Sequence, residues 1–563
     1  MASDGDPHLL DRDFFWVLGV LIGPFLLFGH PLVAQTISFQ ERRAVPLQPA
    51  SVFVGPDNEA WFTDPSANKI GRIALDGTLQ TYSLSPNSRP SHIAVVRFLF
   101  GGSVTWFTES DSNKIGRITD AGVIELAIPT PSSNPTGIAS GGSSLTNPTL
   151  STVWFTEFSG NKIGRASSDG SLSEIPVPTT GSGPWGIALG SEVWFTEFIA
   201  GKIGRYDPVT GLLTEYTIPT HDSGPREITV AGDGTAWFTE FNVGKIGHIT
   251  QAGAITEFAT GSADSGPLGI AAGSAGEIWF TEQRAGRVGV VNPDSIVKEF
   301  DLPTPLSNPE GIAFGLPADP IGHFTPPKRA ALWVAEASAN QLAVALTDWV
   351  VIAGVGASVD WDTEVQISNR EKFSLSLKLF GVFGQNRIPA STAGIPVPLS
   401  AGGSTRFTAV SLGGGDWGTW FLEDLSFYLP SVNVRVFQRS RPEISDGVPA
   451  IRLSTLEKLD ATVLSFSGAR RSPGISRSNL VLGGLGSGRI RVEALTAEGE
   501  ILGSSEFALP GSLFLTDVLA QLGVNTLDIG QIRVTRLAGA PFWCYLATAD
   551  QGGSLVITAG GNP

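Results

Sequence analysis

The stretch Val193-Trp194-Phe195-Thr196-Glu197 decides the fold, because the chain repeats its tryptophan run seven times in all. The other copies begin at Trp61, Trp106, Trp154, Trp237, Trp279 and Trp333, the last as a degenerate Trp333-Val334-Ala335-Glu336. Successive tryptophans are 45, 48, 40, 43, 42 and 54 residues apart. This period, with short β-type runs, is typical of a β-propeller blade. One blade cannot bury both of its faces alone, so the copies are expected to close into a ring.

One repeat contains four strand-like runs separated by turn formers. Between two tryptophan runs the chain reads Lys162-Ile163-Gly164-Arg165, then Ser173-Glu174-Ile175-Pro176, then Gly186-Ile187-Ala188. Each strand-like run is four to six residues long, and turn formers separate the runs. This pattern is typical of antiparallel strands. We predict that the Gly-Ile-Ala strand is innermost and the tryptophan strand second. The Lys-Ile-Gly-Arg strand is then third and the Glu-x-Ile-Pro strand outermost.

The two ends of the repeat region complement each other. Thr36 to Leu47 resembles an outermost strand with no blade before it, and the last repeat ends at its third strand, Gln341 to Leu346. We therefore predict that the N-terminal strand completes the last blade, which removes the exposed sheet edges. The predicted fold is all-β, with a seven-bladed β-propeller over residues 36–347. One or two antiparallel β-sandwiches follow, over residues 348–455 and 456–563, for adhesion, surface attachment or spacing.

Composition excludes several classes of protein. Charged residues make up 16% of the 563 residues, while glycine (68) and proline (38) are abundant, which argues against long helices. A net charge of −16 argues against nucleic acid as a partner. The single cysteine, Cys544, lies in an apolar run, so we expect a buried side chain and no internal disulfide.

Residues 1–35 have the character of a leader. An apolar stretch runs from Phe14 to Phe28, short for a membrane span and suited to a signal-peptide core, with Ala34 as a small residue for cleavage. Acidic residues outnumber Arg12 before it, so an uncleaved anchor and an apolar strand are the alternatives. We expect an extracytoplasmic protein with no stable membrane span after leader removal.

Each tryptophan run ends in a carboxylate, and we interpret this ring of acids as scaffold. Lysine and arginine recur in the neighbouring strand, as at Lys162 and Arg165 or Lys202 and Arg205. Cross-strand ion pairs with the acids would explain both sets of charges.

The mouth of the ring is where the copies differ. The turns into the innermost strands share the pattern Pro-x-x-Ile or nearly so, and the first x varies, as a binding site built from repeats requires. We predict that these residues meet a small molecule, a peptide or a cell-surface partner, whereas a plugged channel would bind nothing. The variable residues are Ala50, Ser91, Thr136, Trp185, Arg226, Leu268 and Glu310.

The motifs Trp-Phe-Thr-Glu, Lys-Ile-Gly-Arg and Pro-x-Gly-Ile, in seven units over residues 36–347, resemble the virginiamycin B (streptogramin B) lyase family. The resemblance implies a bacterial enzyme that opens a cyclic depsipeptide by elimination at its ester. In that family a histidine removes a proton and Mg²⁺ stabilises the developing charge. The family carries histidine at x in its last two Pro-x-x-Ile motifs, glutamate before the last proline, and tyrosine in the first motif.

This chain departs from the family at those positions. Leu268 and Glu310 stand where the histidines are expected, Asn308 replaces the glutamate, and Ala50 replaces the tyrosine. The metal-binding glutamate of the last tryptophan strand corresponds to Glu336. The resemblance therefore implies the fold, while the lyase chemistry would need Glu310 as its catalytic base and Glu336 as its Mg²⁺ ligand.

The six histidines offer no replacement pair. His92 follows the mouth residue Ser91 and is expected to point away from the mouth by strand alternation. His221 is the best spare candidate, His248 replaces a scaffold arginine, and His323 lies in a proline-rich insertion. His8 and His30 lie in the leader. Three hypotheses follow: a ligand-binding propeller without lyase chemistry, a Mg²⁺-dependent carbon-oxygen lyase using Glu310 and Glu336, and a structural surface protein.

Overall fold

The computed structural model describes residues 41–559 apart from several gaps. The predicted leader, the boundary near 455 and the insertion that carries His323 lie outside the described residues, as do His8 and His30. The gaps are 46, 56–58, 75–77, 98–102, 120, 141–151, 274–275, 316–329, 348, 356–360, 370–374, 384–385, 388–394, 409–417, 425–430, 439–440, 449, 453–462, 473–475, 516, 540–541 and 551–554. The described part of the chain contains no helix with the length and apolarity that a membrane crossing requires.

Residues 41–346 form seven four-stranded antiparallel sheets within their described part, one for each tryptophan run. The strands of each sheet follow the predicted order from the innermost outwards, so the all-β propeller is confirmed. Blades 1 to 3 contain β2 (Val52–Val54), β3 (Ala60–Asp64), β4 (Lys69–Ile73), β5 (Leu79–Ser83), β6 (Pro90–Arg97), β7 (Ser103–Glu109), β8 (Lys114–Thr119), β9 (Gly122–Ala127), β10 (Pro135–Ser140), β11 (Thr152–Glu157), β12 (Lys162–Ser167) and β13 (Leu172–Pro176).

Blades 4 to 6 repeat the same arrangement. Their strands are β14 (Pro184–Leu189), β15 (Val193–Glu197), β16 (Lys202–Tyr206), β17 (Leu213–Thr217), β18 (Pro225–Val230), β19 (Ala236–Glu240), β20 (Lys245–Ile249), β21 (Ile255–Ala259), β22 (Pro267–Ala272), β23 (Ile278–Glu282), β24 (Arg287–Val291) and β25 (Val297–Asp301).

Blade 7 closes the ring with a strand from each end of the repeat region. It contains β26 (Pro309–Gly315), β27 (Ala331–Glu336), β28 (Gln341–Leu346) and, outermost, β1 (Glu41–Ala44). Strand β1 pairs antiparallel with β28, from Glu41 opposite Val344 to Ala44 opposite Gln341. The predicted closure by the N-terminal strand is therefore confirmed.

A phenylalanine and a glycine fix the register inside six of the blades. Phe195 of β15 lies directly opposite Gly204 of β16, and its ring covers the glycine. A Cβ atom added to Gly204 would lie 2.0 Å from the Phe195 Cζ atom. The central glycine of each Lys-Ile-Gly-Arg run is therefore required by the ring above it. The same contact recurs at Gly71, Gly116, Gly164, Gly247 and Gly289.

The degenerate seventh repeat keeps this packing with different residues. Val334 replaces the phenylalanine, and Ala343 replaces the glycine opposite it. The smaller valine leaves room for the alanine methyl group, so the two changes compensate for each other. Both side chains are fully buried.

Threonine hydroxyls join each of blades 1 to 6 to the next blade at the mouth. The threonine of each of these six tryptophan strands donates its hydroxyl to the carbonyl oxygen of the variable mouth residue in the following blade, over 2.5–3.0 Å. The threonine Oγ1 atom also accepts a hydrogen bond from the backbone N–H of the second x residue in its own blade, over 2.9–3.1 Å. We call this pair of bonds the threonine bridge. Its members are Thr63, Thr108, Thr156, Thr196, Thr239 and Thr281.

Residues 349–452 form two antiparallel sheets in their described part. Six strands make one sheet and four make the other, β30, β34, β36 and β37. The bounds are β29 (Trp349–Val355), β30 (Trp361–Ser368), β31 (Leu375–Phe383), β32 (Asn386–Arg387), β33 (Ile395–Leu399), β34 (Ser404–Thr408), β35 (Gly418–Asp424), β36 (Ser431–Gln438), β37 (Arg441–Val448) and β38 (Ala450–Arg452).

Residues 463–559 form one further sheet around a long central strand. The first half of β40 pairs with β43 and its second half with β42, while β41 runs along its other edge. Cys544 is buried in the apolar core of this unit, as predicted. The bounds are β39 (Val463–Arg471), β40 (Ser476–Thr496), β41 (Ile501–Leu515), α1 (Val518–Gln521), β42 (Leu527–Gly539), β43 (Phe542–Asp550) and β44 (Leu555–Ala559).

Removing one threonine bridge should destabilise the propeller. Thr196→Val keeps the shape but leaves the Gly186 N–H and the Arg226 carbonyl without their partner. We expect the free energy of unfolding to fall by about 1–3 kcal/mol. Thr217→Val, at an exposed strand end, is the control and should change it by less than about 0.5 kcal/mol. Urea unfolding curves that coincide for the two variants would contradict this role.

The phenylalanine–glycine contact predicts a coupled pair of mutations. Gly204→Ala alone should overpack blade 4 and cost about 1–3 kcal/mol. Phe195→Val alone should leave a cavity and also destabilise. The double variant should lose less than the sum of the two, because blade 7 already holds the valine–alanine pair. A double-mutant cycle by denaturant unfolding measures this coupling, and strictly additive effects would argue against it.

Candidate functional site

A β-bulge lies at the mouth end of the innermost strand in six blades. In blade 4, Pro184 pairs with Glu197 and Ile187 pairs with Phe195, so three steps along β14 match two along β15. The same shift occurs at the start of the innermost strand in blades 2 to 7. A bulge interrupts the strict alternation of side chains. Both x residues of Pro-x-x-Ile can therefore face the axis of the ring.

The variable mouth residues surround one cavity of about 760 Å³. All seven predicted positions line it: Ala50, Ser91, Thr136, Trp185, Arg226, Leu268 and Glu310. Thr136 is buried, and its hydroxyl bonds to the Thr156 hydroxyl and the Trp185 carbonyl. Thr136 thus supports the wall, while the other positions present their side chains or backbone to the cavity.

An ion pair crosses the axis inside this cavity. His92 Nε2 of blade 2 lies 2.8 Å from Glu227 Oε1 of blade 5. Trp185 Nε1 donates to the same carboxylate oxygen over 3.1 Å, and His92 Nδ1 lies 2.9 Å from the Ser91 hydroxyl. The expectation that His92 points away was wrong, because the bulge after Pro90 breaks the alternation on which it rested.

The two partners stabilise each other's charge. Burial would lower the pKa of His92, but the charge and hydrogen bond of Glu227 outweigh burial and raise that pKa above its ordinary value. Burial would raise the pKa of Glu227, but His92, Trp185 and Arg226 hold it below its ordinary value. Between the lowered pKa of Glu227 and the raised pKa of His92, the pair is therefore a carboxylate and an imidazolium.

The second x position carries a signal in the sequence that identifies this pair. Four blades have glycine there, because a Cβ atom would approach the neighbouring blade's carbonyl oxygen to 2.4–2.6 Å. Blade 1 has Ser51, and only His92 and Glu227 are ionisable among the seven. Their departure from glycine marks them as mouth residues. The four glycines are Gly137, Gly186, Gly269 and Gly311.

Arg226 is held between aromatic rings at the mouth. Its guanidinium carbon lies 4.6 Å from the Trp185 ring centroid, 5.0 Å from that of Phe198 and 4.3 Å from that of Phe241. The two phenylalanines directly follow the carboxylates of their tryptophan runs, a position that the sequence reasoning missed. Burial lowers the pKa of Arg226, against the opposing charges of Glu227 and Glu310.

Glu310 lies in the cavity wall with two amide partners. Gln283 and Asn308 donate their side-chain N–H groups to Glu310 Oε1 over 3.3 and 3.2 Å. Burial raises the pKa of Glu310, although both amides and the nearby His92 and Arg226 favour its charged form. Glu310 is thus a carboxyl group that gains a proton more readily than one in water.

The carboxylates of the tryptophan runs are scaffold, but the predicted ion pairs are not the ones that form. Lys162 is the register partner of Glu157, but its Nζ atom forms its ion pair with Glu174 of the outermost strand, over 2.6 Å. Equivalent pairs join Lys114 to Glu125, Lys202 to Glu215, Lys245 to Glu257 and Arg287 to Glu299. Burial raises the pKa of the inner acids, to about 7 for Glu157 and Glu282 and about 8 for Glu197 and Glu240.

The arginines of the third strands stack on tryptophan. The guanidinium carbon of Arg205 lies 5.4 Å from the Trp194 ring centroid, and its nitrogens pair with Glu192. In blade 5, His248 replaces the arginine and stacks on Trp237 at 4.3 Å. His221 is almost fully exposed beside Asp222 and does not line the cavity. The scaffold interpretation therefore holds for His248, and His221 lies outside the site.

The sequence model of the virginiamycin B lyase family matches residues 44–146. The selenomethionine-substituted virginiamycin B lyase from Staphylococcus aureus is 34% identical, and the match covers 54% of this chain and 98% of that enzyme, with a TM-score of 0.47. This chain belongs to the virginiamycin B lyase family.

Two further solved structures are similar to this chain. A streptogramin B lyase is 32% identical over 54% of this chain and 97% of its own, with a TM-score of 0.47. A catalytically inactive histidine-to-alanine variant of the Staphylococcus aureus enzyme, with quinupristin, is 33% identical over 54% and 98%, with a TM-score of 0.47. No curated protein sequence matches the chain.

The residues at the family's Mg²⁺ positions do not converge on a metal. Leu268 has no ligand atom, and Glu310 already accepts two amide donors. Glu336 is fully buried, bonds to Gln341 and is absent from the cavity wall. Among the residues described, no three histidine, cysteine or acidic side chains group as a metal site would require. The donor set in this member of the family therefore does not fit Mg²⁺.

Glu227→Gln should lower the pKa of His92 towards its ordinary value of 6.5. The raised pKa of His92 adds stability that is present below pH 6.5 and lost as the pH rises through the folded-state pKa. The lowered pKa of Glu227 adds stability above pH 4.5 that is lost as the pH falls. The destabilisation by Glu227→Gln should thus be greatest between these values. NMR titration of His92 measures the shift, and the double variant His92→Gln/Glu227→Gln should show no such pH dependence.

Proposed function

We propose that the propeller binds a small molecule or a peptide in its mouth cavity and does not use the elimination chemistry of its family. The observation that carries this proposal is the pair Leu268 and Glu310 at the two positions where the family has histidine. Leucine cannot accept a proton or bind Mg²⁺. Loss of a positioned base typically costs about 10²–10⁴-fold in rate.

The cavity supports the binding half of the proposal. Its volume of about 760 Å³ lies within the range of small-molecule sites. Its wall combines apolar groups such as Trp185 and Leu268 with the charged groups Arg226 and Glu310. A few polar groups set among apolar ones orient a ligand and give it specificity. A purely structural protein would not need this combination at its mouth.

A Mg²⁺-dependent lyase is the second candidate, and one observation favours it. Glu310 lines the cavity, and its raised pKa suits a general base. Its proposed metal partner Glu336 is buried outside that wall, which weighs against a metal-assisted step. We therefore place this candidate second.

The cellular setting remains part of the proposal. The apolar stretch from Phe14 to Phe28 supports export, so the ligand would be met outside the cytoplasm. The sheets after Leu346 would then serve attachment or spacing. A cell-surface molecule is accordingly one source of the ligand.

Incubation of the full chain with quinupristin, with and without Mg²⁺, tests the proposal. Elimination gives a ring-opened isomer of unchanged mass, which chromatography and fragmentation distinguish from the substrate. Hydrolysis instead adds the mass of one water. We expect neither product, whereas the Staphylococcus aureus enzyme, as the positive control, should give the isomer.

A Mg²⁺-dependent isomer formed by this chain would overturn the proposal and favour the second candidate. In that case Glu310→Gln should abolish the product, and Glu336→Gln should raise the Mg²⁺ concentration needed. Product formation that is unchanged in both variants would exclude these two residues from the chemistry.

A further inference from the structure

Arg226 lacks the partner that a half-buried guanidinium normally has. It makes no hydrogen bond or ion pair with any described residue, and its Nε atom is buried without an acceptor. Three aromatic faces, from Trp185, Phe198 and Phe241, hold it by cation–π contacts instead. Cation–π contacts engage the cation through aromatic faces and do not use its N–H donors, of which a guanidinium has five.

Arg284 provides an internal comparison. Its guanidinium carbon also lies over the Phe241 ring, at 4.4 Å from the centroid, but its NH1 atom bonds to Asp264 over 2.8 Å. Arg205 likewise stacks on a tryptophan and pairs with Glu192. Stacking and a carboxylate partner thus occur together at these two arginines. At Arg226 only the stacking is present.

The carboxylates nearest to Arg226 in the cavity are engaged elsewhere. Glu227 accepts bonds from His92 and Trp185, and Glu310 accepts bonds from Gln283 and Asn308. Neither carboxylate of the described cavity wall is therefore left for Arg226, and its N–H donors are available to a ligand. A guanidinium recognises carboxylates through paired N–H donors. The two acids close by would repel a doubly charged group such as phosphate more strongly than a singly charged one.

We propose that Arg226 binds the carboxylate of a ligand whose apolar or aromatic body lies against Trp185 and Leu268. Both of these side chains line the same cavity as Arg226. The inference rests on the proposed function and narrows its ligand to one chemical class. Such a carboxylate can come from the free C-terminus of a hydrophobic peptide or from a small aromatic acid.

Calorimetric titration of the full chain with four probes tests the inference. The probes are a tetrapeptide ending in phenylalanine, its C-terminal amide, 3-phenylpropionate and 2-phenylethylamine. We expect the peptide acid to bind at least about 10-fold more tightly than the amide, as expected for a lost charge-assisted hydrogen bond. Binding of 3-phenylpropionate without the peptide acid would identify a small acid as the source, and tighter binding of the peptide would identify a C-terminus.

Two substitutions separate binding from folding. Arg226→Gln should weaken binding of the two acids about 10-fold or more and leave the affinity for the peptide amide unchanged. Arg226→Lys should recover part of the lost affinity. Arg284→Gln is the matched control, because Arg284 also stacks on Phe241 but already has its carboxylate, and it should bind the acids like the unmodified chain. Thermal unfolding of each variant checks that the propeller remains folded.

Three results would overturn the inference. Equal affinity for the peptide acid and its amide, with no effect of Arg226→Gln, would exclude carboxylate recognition by Arg226 but would still show that the propeller binds a ligand. Binding of 2-phenylethylamine alone does the same and points to Glu310 and a cationic ligand. No binding of any probe at millimolar concentration would overturn this inference together with the proposed function.

Discussion

The threonine bridge is the interaction on which the mouth depends. Each hydroxyl bonds to backbone groups on both sides of a blade junction, so it holds the variable residue by its carbonyl oxygen and not by its side chain. The side chain is then free to differ from blade to blade. At the last junction Ala335 has no hydroxyl, and the Gly311 N–H bonds directly to the Ala50 carbonyl over 2.8 Å. The ring is thus joined by hydrogen bonds even where the repeat is most degenerate.

Much of the propeller was predictable because its causes are local and repeated. Tryptophan runs at a regular period gave the blade number, and the surplus strand before Leu47 gave the closure. The cross-axis pair was not predictable by strand alternation, since a bulge follows the mouth proline in the blades of both His92 and Glu227. Comparing the second x residue of the Pro-x-x-Ile motif among the seven blades would have identified this pair. Glycine or serine occupies that position in every blade except those of His92 and Glu227. The ion pairs of Lys162 and its equivalents depended on side-chain reach, which register alone does not fix.

The charged side chains of the cavity have partners that compensate or surround them. Its central charges, His92 and Glu227, neutralise each other across the axis, and Glu310 is surrounded by neutral amides. Leu268 adds an apolar surface where the family has an imidazole. A site of this kind provides shape and a fixed pattern of hydrogen-bond donors, which is the basis of the binding function proposed above.

The closure of blade 7 also determines where the rest of the chain is attached. Strand β28 runs away from the mouth to Leu346, and β1 begins beside that end, with Glu41 opposite Val344. Glu41 and Leu346 therefore lie at the same end of one blade, on the side remote from Arg226 and Glu310. Neither residue lines the cavity, so the blade can be closed by a strand from each end of the repeat region without any contribution from these strand ends to the ligand site.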